Sequence, residues 1–373
     1  MRAYLLLFAV AGSVTYLLTV MAREIAVRLG AVAKVRDRDV HDEPIPYMGG
    51  VAMLGGLAAA YLVARQLPFL AKSQFVLHDA GVVLGAGALI CLVGILDDVL
   101  ELDALTKLGG QLLATAVLIH FNVQYIFFTK SDGSQFALDP AQSALLTGFV
   151  VVATINAVNF VDGLDGLAAG VVFIGAIAFF VFCYSLTRIN GVDRATTAAM
   201  LSVALAGACV GFLVHNWNPA RLFMGDSGSM LLGLILSASA VSLSGQFSAD
   251  QLSTGAYGTH ATLLPTLLPV LLPITILIVP IADLVLAVAR RTRAGRSPFA
   301  PDKMHLHHRL LEIGHSQRIA VLIMWAWAAL IAFGSVLASL YDGPWLWTAL
   351  AVGLLVTTGL TFGLPKLKSS SNV

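Results

Sequence analysis

Hydrophobic positions along this chain gather into eleven long blocks separated by short polar segments. The blocks lie at about 3–22, 47–65, 80–96, 108–121, 141–156, 165–187, 198–215, 229–245, 262–289, 319–340 and 345–364. A helix that crosses the hydrocarbon core of a bilayer needs about 20 mostly apolar residues, and it must satisfy all its backbone groups internally. The pattern therefore predicts an all-α, polytopic integral membrane protein with about eleven transmembrane helices. The fourth block is short. The ninth is long and holds Pro265, Pro269, Pro273 and Pro280. Each proline removes a backbone donor and clashes with the preceding turn, so that helix is expected to be bent or broken.

Composition supports the same class. The chain has 373 residues, of which 58% are hydrophobic and only 12% charged, against about 25% charged in soluble domains. Two or three soluble domains could not coat their surfaces with so few charges. Disorder is excluded by the high hydrophobicity. A single transmembrane domain over residues 1–373 is expected. The net charge of +1 gives no reason to expect nucleic acid as a partner. Cys91, Cys183 and Cys209 each sit in an apolar run without a CxxC partner, which reads as small buried hydrophobes rather than a disulfide framework.

Charge asymmetry orients the chain. Arg23 and Arg28 follow the first apolar run, which favours a retained helix over a cleaved leader. With eleven crossings, one side collects sixteen Lys and Arg residues, from Arg23 and Arg28 to Lys366 and Lys368, and the other side six. The positive-inside rule places the N-terminus outside and the C-terminus in the cytoplasm. The unusual polar segments all fall on that cytoplasmic side: HDEPIPYMGG (41–50), DDVLELDALTK (97–107), NAVNFVDGLDGL (156–167), HNWNPARLFMGDSGS (215–229) and SPFAPDKMHLHHRLLEIG (297–314).

These segments carry the chemistry. Asp97 and Asp98 end an apolar run; adjacent carboxylates repel unless a cation intervenes, which suits a metal site or a general base. Asn156, Asn159, Asp162 and Asp165 crowd the next segment, and oxygen ligands at that density suit Mg²⁺, which takes one or two carboxylates plus water and phosphate. Asp226 and Ser227 open the eighth block. Either could simply cap that helix, yet the helix start could also present N–H groups and a positive dipole end to a phosphate. Asn216, Trp217, Asn218 and Phe223 offer flat faces and amides to a nucleobase, with an interfacial aromatic belt as the competing reading for Trp217. His305, His307 and His308, followed by Arg309, read as a cationic phosphate clamp rather than a zinc site, because no cysteine accompanies them. Together they describe phosphoryl chemistry on a nucleotide-bearing substrate beside a membrane.

The segments LDDVLELDALTKLGGQ, NAVNFVDGLDGLAAG, NPARLFMGDSGSMLLG and DKMHLHHRLLEIGHS resemble the ordered motifs of the polyprenyl-phosphate N-acetylhexosamine-1-phosphate transferases. The resemblance covers most of the chain. It implies ten or eleven transmembrane helices around a cytoplasmic-face cleft, a broken ninth helix, and location in the inner (plasma) membrane. The HLHHR element looks like the WecA/TagO-like branch, which uses UDP-N-acetylglucosamine, rather than the phospho-N-acetylmuramoyl-pentapeptide branch. NFVDG is a mild departure from the more familiar NLIDG or NLTDG.

By resemblance, Asp226 is the expected metal ligand, with Asp97, Asp98 and Asp165 as weaker candidates. Asp97 matches the base that deprotonates the lipid phosphate; Asp98, Asp162 and Asp226 complete the expected catalytic set. Lys107, Asn159, Asp165, Asn216, Phe223, His307, His308 and Arg309 match substrate-binding positions, with Asn216 and Phe223 at the uracil. The implied cofactor is Mg²⁺, with Mn²⁺ as a substitute. The implied partners are UDP-N-acetylglucosamine and a polyprenyl phosphate, and a homodimer is left open. A membrane transporter is the rival class. It would place ionisable residues near the bilayer midplane, whereas the apolar blocks here are nearly charge-free and Asp283 is the main exception.

Overall fold

The computed structural model of the chain describes residues 1–30, 32, 45–71, 73–129, 135–189, 195–243, 292, 293, 295, 310–341 and 343–370. In chain order the elements are α1 (Arg2–Leu29), α2 (Gly49–Ala64), α3 (Pro68–Ala71), α4 (Gln74–Leu100), α5 (Ala104–His120), β1 (Phe127–Thr129), β2 (Gln135–Ala137), α6 (Pro140–Val161), α7 (Leu167–Ile189), α8 (Ala195–Asn216), α9 (Gly225–Leu243), α10 (Gln317–Leu340) and α11 (Pro344–Ser370). Ten of the eleven apolar blocks coincide with helices. The ninth, with its expected bend, lies outside the described residues.

Eight of the described helices are long and apolar enough to cross a membrane. Helix α2, with 16 residues, and α5, with 17, are shorter. Both nevertheless run from one end of the bundle to the other. At one end, Arg23 of α1 donates through Nε to the Arg221 carbonyl at 3.2 Å, and the Gly49 N–H at the start of α2 donates to the Phe223 carbonyl at 3.1 Å. At the opposite end, the Tyr4 ring near the start of α1 meets Phe69 of α3 at 6.2 Å and Tyr184 near the end of α7 at 5.9 Å. The Tyr61 hydroxyl of α2 donates to the Leu77 carbonyl at the start of α4 at 3.2 Å. Apart from the one-turn α3, successive helices therefore alternate in direction from α1 to α9, and the segments before α2, between α4 and α5, between α6 and α7, and between α8 and α9 share one end.

Local chemistry sets the helix ends. Asp139 caps α6, accepting from the Ala141 and Gln142 N–H groups at 2.9 Å each, while Gln142 Oε1 accepts from the Asp139 N–H at 3.2 Å. Pro140 at the first helical position fits this reciprocal cap. Asp103 caps α5 through the Thr106 N–H at 2.7 Å, and that amide, helped by the Thr106 hydroxyl, holds its carboxyl below the usual carboxylate range. Helix α4 outlasts its apolar block and carries Asp97 and Asp98 in its last turn. Helix α6 likewise runs through Asn156 and Asn159 to Val161, so half of the predicted polar loop is helical.

Helix α9 forms the centre, packed by α2, α4, α6 and α8. From Ser227 to Leu243 every side chain is buried. With no hydrophobic drive between helices in lipid, close packing depends on small residues. The Ser237 and Ser239 hydroxyls donate to carbonyls of their own helix at 2.8 and 2.6 Å, so they are not left unsatisfied. A Cβ at Gly50 would overlap the Gly228 backbone, and one at Gly94 would overlap the Ser227 backbone. At that end α2, α4 and α9 thus touch backbone to backbone. Peripheral helix α10 packs on α7, with Trp325 seated over Gly170, and α11 packs on α10.

The strands β1 and β2 pair antiparallel, Phe128 opposite Phe136, between α5 and α6. The prediction was helical throughout. Strands of three residues are too short to leave a period-two signal. Cys91, Cys183 and Cys209 are unpaired and buried, as expected.

Candidate active site

The shared end of the bundle brings three helix faces onto one carboxylate, that of Asp226. Lys107 and Gln111 lie one turn apart on α5, Asn156 and Asn159 on α6, and Asp226 and Ser229 on α9; such spacings place each pair on one helix face. Lys107 Nζ contacts Asp226 Oδ2 at 3.0 Å and forms a second ion pair with Asp97 Oδ2. Asn159 Nδ2 donates to Asp226 Oδ1 at 2.9 Å and to Ser229 Oγ at 2.9 Å. One layer away, the Gln111 and Asn156 amides pair, Asn156 Nδ2 donating to Gln111 Oε1 at 2.7 Å and Gln111 Nε2 to Asn156 Oδ1 at 3.3 Å.

Asp97 is 5% exposed. Its Oδ1 accepts from the Leu102 N–H at 2.9 Å, and its Oδ2 meets Lys107. Only residues 101–103 separate α4 from α5, so Lys107, one turn into α5, returns to Asp97. Asp98 behaves differently. Its Oδ1 accepts from the Asp226 N–H at 2.8 Å and its Oδ2 from the Ser227 N–H at 3.3 Å. The start of α9 therefore holds Asp98 rather than offering these two N–H groups to a phosphate, as the sequence had suggested. Nor do Asp226 and Ser227 cap their own helix: the Ser227 hydroxyl donates to the Met224 carbonyl at 3.1 Å.

Asp162 follows the last residue of α6 and is half-buried. Burial, and then the charges of Asp226 and Asp98, push its carboxyl up to about 8. Helix α6 ends at Val161, so Asp162 and Asp165 both lie in the turn before α7.

Two expected substrate residues are engaged within the protein. Asn216 is 2% exposed; its Oδ1 accepts from the Gly166 N–H at 2.9 Å and its Nδ2 donates to the Leu222 carbonyl at 3.0 Å. Its amide thus joins two loops. Asp165 is 3% exposed, and its Oδ2 accepts from Asn218 Nδ2 at 2.9 Å and from the Ala220 N–H at 3.0 Å. Through this oxygen it secures the loop leading to Asp226. Phe223 is half-buried, with its ring 6.2 Å from that of Tyr47. Trp217 packs against Trp325 at 5.3 Å. His305, His307, His308 and Arg309 lie outside the described residues.

Among the described residues no group of three or more His, Cys, Asp or Glu side chains is arranged to hold a metal. The donor set nonetheless suits Mg²⁺. Asp97 and Asp226 converge on one ammonium, and one or two hard carboxylates completed by water and phosphate are what that ion takes. Ser229 and Gln111 were missed from the sequence. Their signal was the i+3 spacing from Asp226 and the i+4 spacing from Lys107. The polar cluster sits at helix ends, away from the bundle middle where a transporter would hold its substrate.

Comparison with known proteins agrees with this layout. A family model described as Glycosyl transferase family 4 matches residues 80–244, which include every residue of the Asp226 cluster. Decaprenyl-phosphate N-acetylglucosaminephosphotransferase of Mycobacterium tuberculosis is 45% identical over 371 residues, covering 99% of this chain and 90% of the relative. A probable undecaprenyl-phosphate N-acetylglucosaminyl 1-phosphate transferase of Bacillus subtilis is 32% identical over 319 residues, covering 85% and 80%. Phospho-N-acetylmuramoyl-pentapeptide-transferase of Desulforudis audaxviator is 32% identical over 356 residues, covering 87% and 95%. With near full-length similarity at this level, the chain belongs to glycosyl transferase family 4, in the branch of the polyprenyl-phosphate N-acetylglucosamine phosphotransferases.

Proposed function

We propose that the chain transfers N-acetylglucosamine-1-phosphate from UDP-N-acetylglucosamine to a polyprenyl phosphate, giving polyprenyl-diphospho-N-acetylglucosamine and UMP. The observation that carries this reading is the convergence of Lys107 and Asn159, from two motif segments, on the half-buried carboxylate of Asp226 from a third. The near full-length relative named for transfer of N-acetylglucosamine phosphate to decaprenyl phosphate supports the same donor and acceptor classes. The site end faces the cytoplasm in this reading, because sixteen of the 22 basic residues fall on that side.

Positioning and electrostatics do most of the work in phosphoryl transfer. A bound Mg²⁺, or Mn²⁺ in its place, would be held by Asp226, with water and phosphate oxygens completing its shell, and would neutralise charge on the donor diphosphate. Asn159 fixes the rotamer of Asp226 by holding Oδ1. Lys107 supplies a compact positive charge on a flexible stem, which can turn from Asp226 to a diphosphate oxygen. Asp97 is assigned the proton of the acceptor phosphate; accepting it at Oδ2 requires Lys107 to let go of that oxygen. His307, His308 and Arg309 are assigned the diphosphate and sugar, and Phe223 the uracil.

The similarity to a muramoyl-pentapeptide transferase keeps a second donor in view. The test offers purified protein, Mg²⁺ and polyprenyl phosphate either labelled UDP-N-acetylglucosamine or labelled UDP-N-acetylmuramoyl-pentapeptide. We expect lipid-linked label and UMP from the first donor, little from the second, and loss of turnover when the metal is chelated. Preferential use of the pentapeptide donor would overturn the assignment of donor, and turnover unaffected by chelation would overturn that of the metal.

A further inference from the structure

Two adjacent carboxylates at the end of α4 do different jobs in this structure. Asp97 faces Lys107. Asp98 faces the backbone of another helix, accepting from the N–H groups of Asp226 at 2.8 Å and Ser227 at 3.3 Å. Gly225, just before them, has φ +68° and lies so close that a Cβ would overlap the Asp98 carboxylate. That conformation favours glycine, and it turns the first N–H groups of α9 toward Asp98. One turn earlier on α4, Gly94 sits against the Ser227 backbone. The pair Gly94 and Asp98 thus clasps the first turn of α9 from one side.

From this we infer that Asp98 is a positioning residue: a cap supplied in trans by α4 that fixes the first turn of α9 and so aims the Asp226 side chain. It is neither a metal ligand nor the base. The first N–H groups of a helix have no partner within it, and an acceptor there stabilises the helix start. Here the capped residue is Asp226 itself. Any slip of the first turn moves its carboxylate away from Lys107 and Asn159, which approach from α5 and α6. The inference rests on the proposed role of Asp226, but the cap can be read without any turnover.

The test compares Asp98→Asn, Asp98→Ala and Gly225→Ala in the full-length protein in lipid nanodiscs. Hydrogen exchange of a peptide spanning 222–231 reads the cap directly, and the pH profile of kcat reads any proton or charge role. Asparagine keeps an acceptor oxygen and alanine keeps none. The expected order of protection and of kcat is therefore wild type, then Asn, then Ala. The Asn variant should stay within about tenfold of wild type, the scale of one weakened cap, with the acid limb of its pH profile in place. The Ala variant should fall by about a hundredfold or more, the scale of a misplaced electrostatic group. Gly225→Ala should reproduce the loss of protection by pushing Asp98 aside, and it keeps the cap testable where Asp98→Ala fails to fold. Unchanged exchange in the variants overturns the cap. An Asn variant as inactive as Ala, or one that loses the acid limb, overturns a role confined to positioning. A wild-type protein with no transferase activity would instead overturn the proposed function, leaving the exchange result to decide the cap.

Discussion

Replacing Lys107 by methionine keeps the length and apolar stem of the side chain and removes its charge, so it isolates what the ammonium does. Lys107 lies 3.0 Å from Asp226 Oδ2 and also pairs with Asp97; its side chain is 33% exposed, that of Asp226 29% and that of Asp97 4%. At an effective dielectric of about 20, the attraction to Asp226 alone is about 5 kcal/mol before desolvation. Desolvation offsets much of this, and exposure discounts it further. Breaking a buried pair costs about 3–5 kcal/mol, because it strands the partner charge. A value near 3 kcal/mol of stability is appropriate for this partly exposed site, and separately the loss of one positive contact to the donor diphosphate should lower kcat/KM by about a hundredfold. The stranded charges are two carboxylates that now repel. The metal-free variant should therefore melt below wild type, and millimolar Mg²⁺ should close much of that gap. The assay is transfer of label from UDP-N-acetylglucosamine, together with melting curves in chelator and in Mg²⁺. Wild-type kcat/KM in Lys107→Met, or a melting deficit that Mg²⁺ leaves unchanged, would refute the reasoning.

Other expectations test neighbouring parts of the site and the topology. Asp226→Asn should cost about 3 kcal/mol or more of transition-state stabilisation, the scale of one lost electrostatic contact in a catalytic site, while the melting temperature stays near wild type; near-normal turnover at saturating Mg²⁺ would count against Asp226. The folded-state value of Asp162, about 8, lies above its ordinary 3.8, so the folded protein holds a proton that the unfolded chain releases. The stability this brings is complete below about pH 3.8 and is lost as pH rises through about 8. Metal-free wild type should accordingly lose melting temperature over that window more steeply than Asp162→Asn, and parallel curves would refute the assignment. In a background where Cys91, Cys183 and Cys209 are replaced by alanine, a cysteine at Gln135 should react with an impermeant thiol reagent added outside intact cells. One at Glu312 should need a permeant reagent, and labelling of both from outside would undo the proposed orientation.

Much of this architecture is legible in the sequence. An apolar block of membrane length has few alternatives in lipid, and the blocks at 165–187 and 198–215 became α7 and α8 within three residues. The unusual segments up to Asp226 gather at one end, because alternating helix directions allow no other arrangement. Even the helix faces were accessible: Lys107 with Gln111, Asn156 with Asn159, and Asp226 with Ser229 follow from 3.6 residues per turn.

What one chain's periodicity does not contain is the register between helices, and the site depends on that register. Asp97 and Asp98 are indistinguishable as neighbouring aspartates. About 100° of helix rotation separates them, sending one toward α5 and the other toward α9, and only the close approach through Gly94 and Gly225 assigns them. Asp165 and Asn216 look like ligands by residue type. The tertiary structure buries them and engages each with the backbone of a neighbouring loop, because a buried polar group left without a partner costs more than an exposed one. Sequence alone determined the class of fold, the end at which polar residues collect and the residue types available there. The packing of α4, α5, α6 and α9 decided which carboxylates meet Lys107 and which one bonds to the backbone of a neighbouring helix.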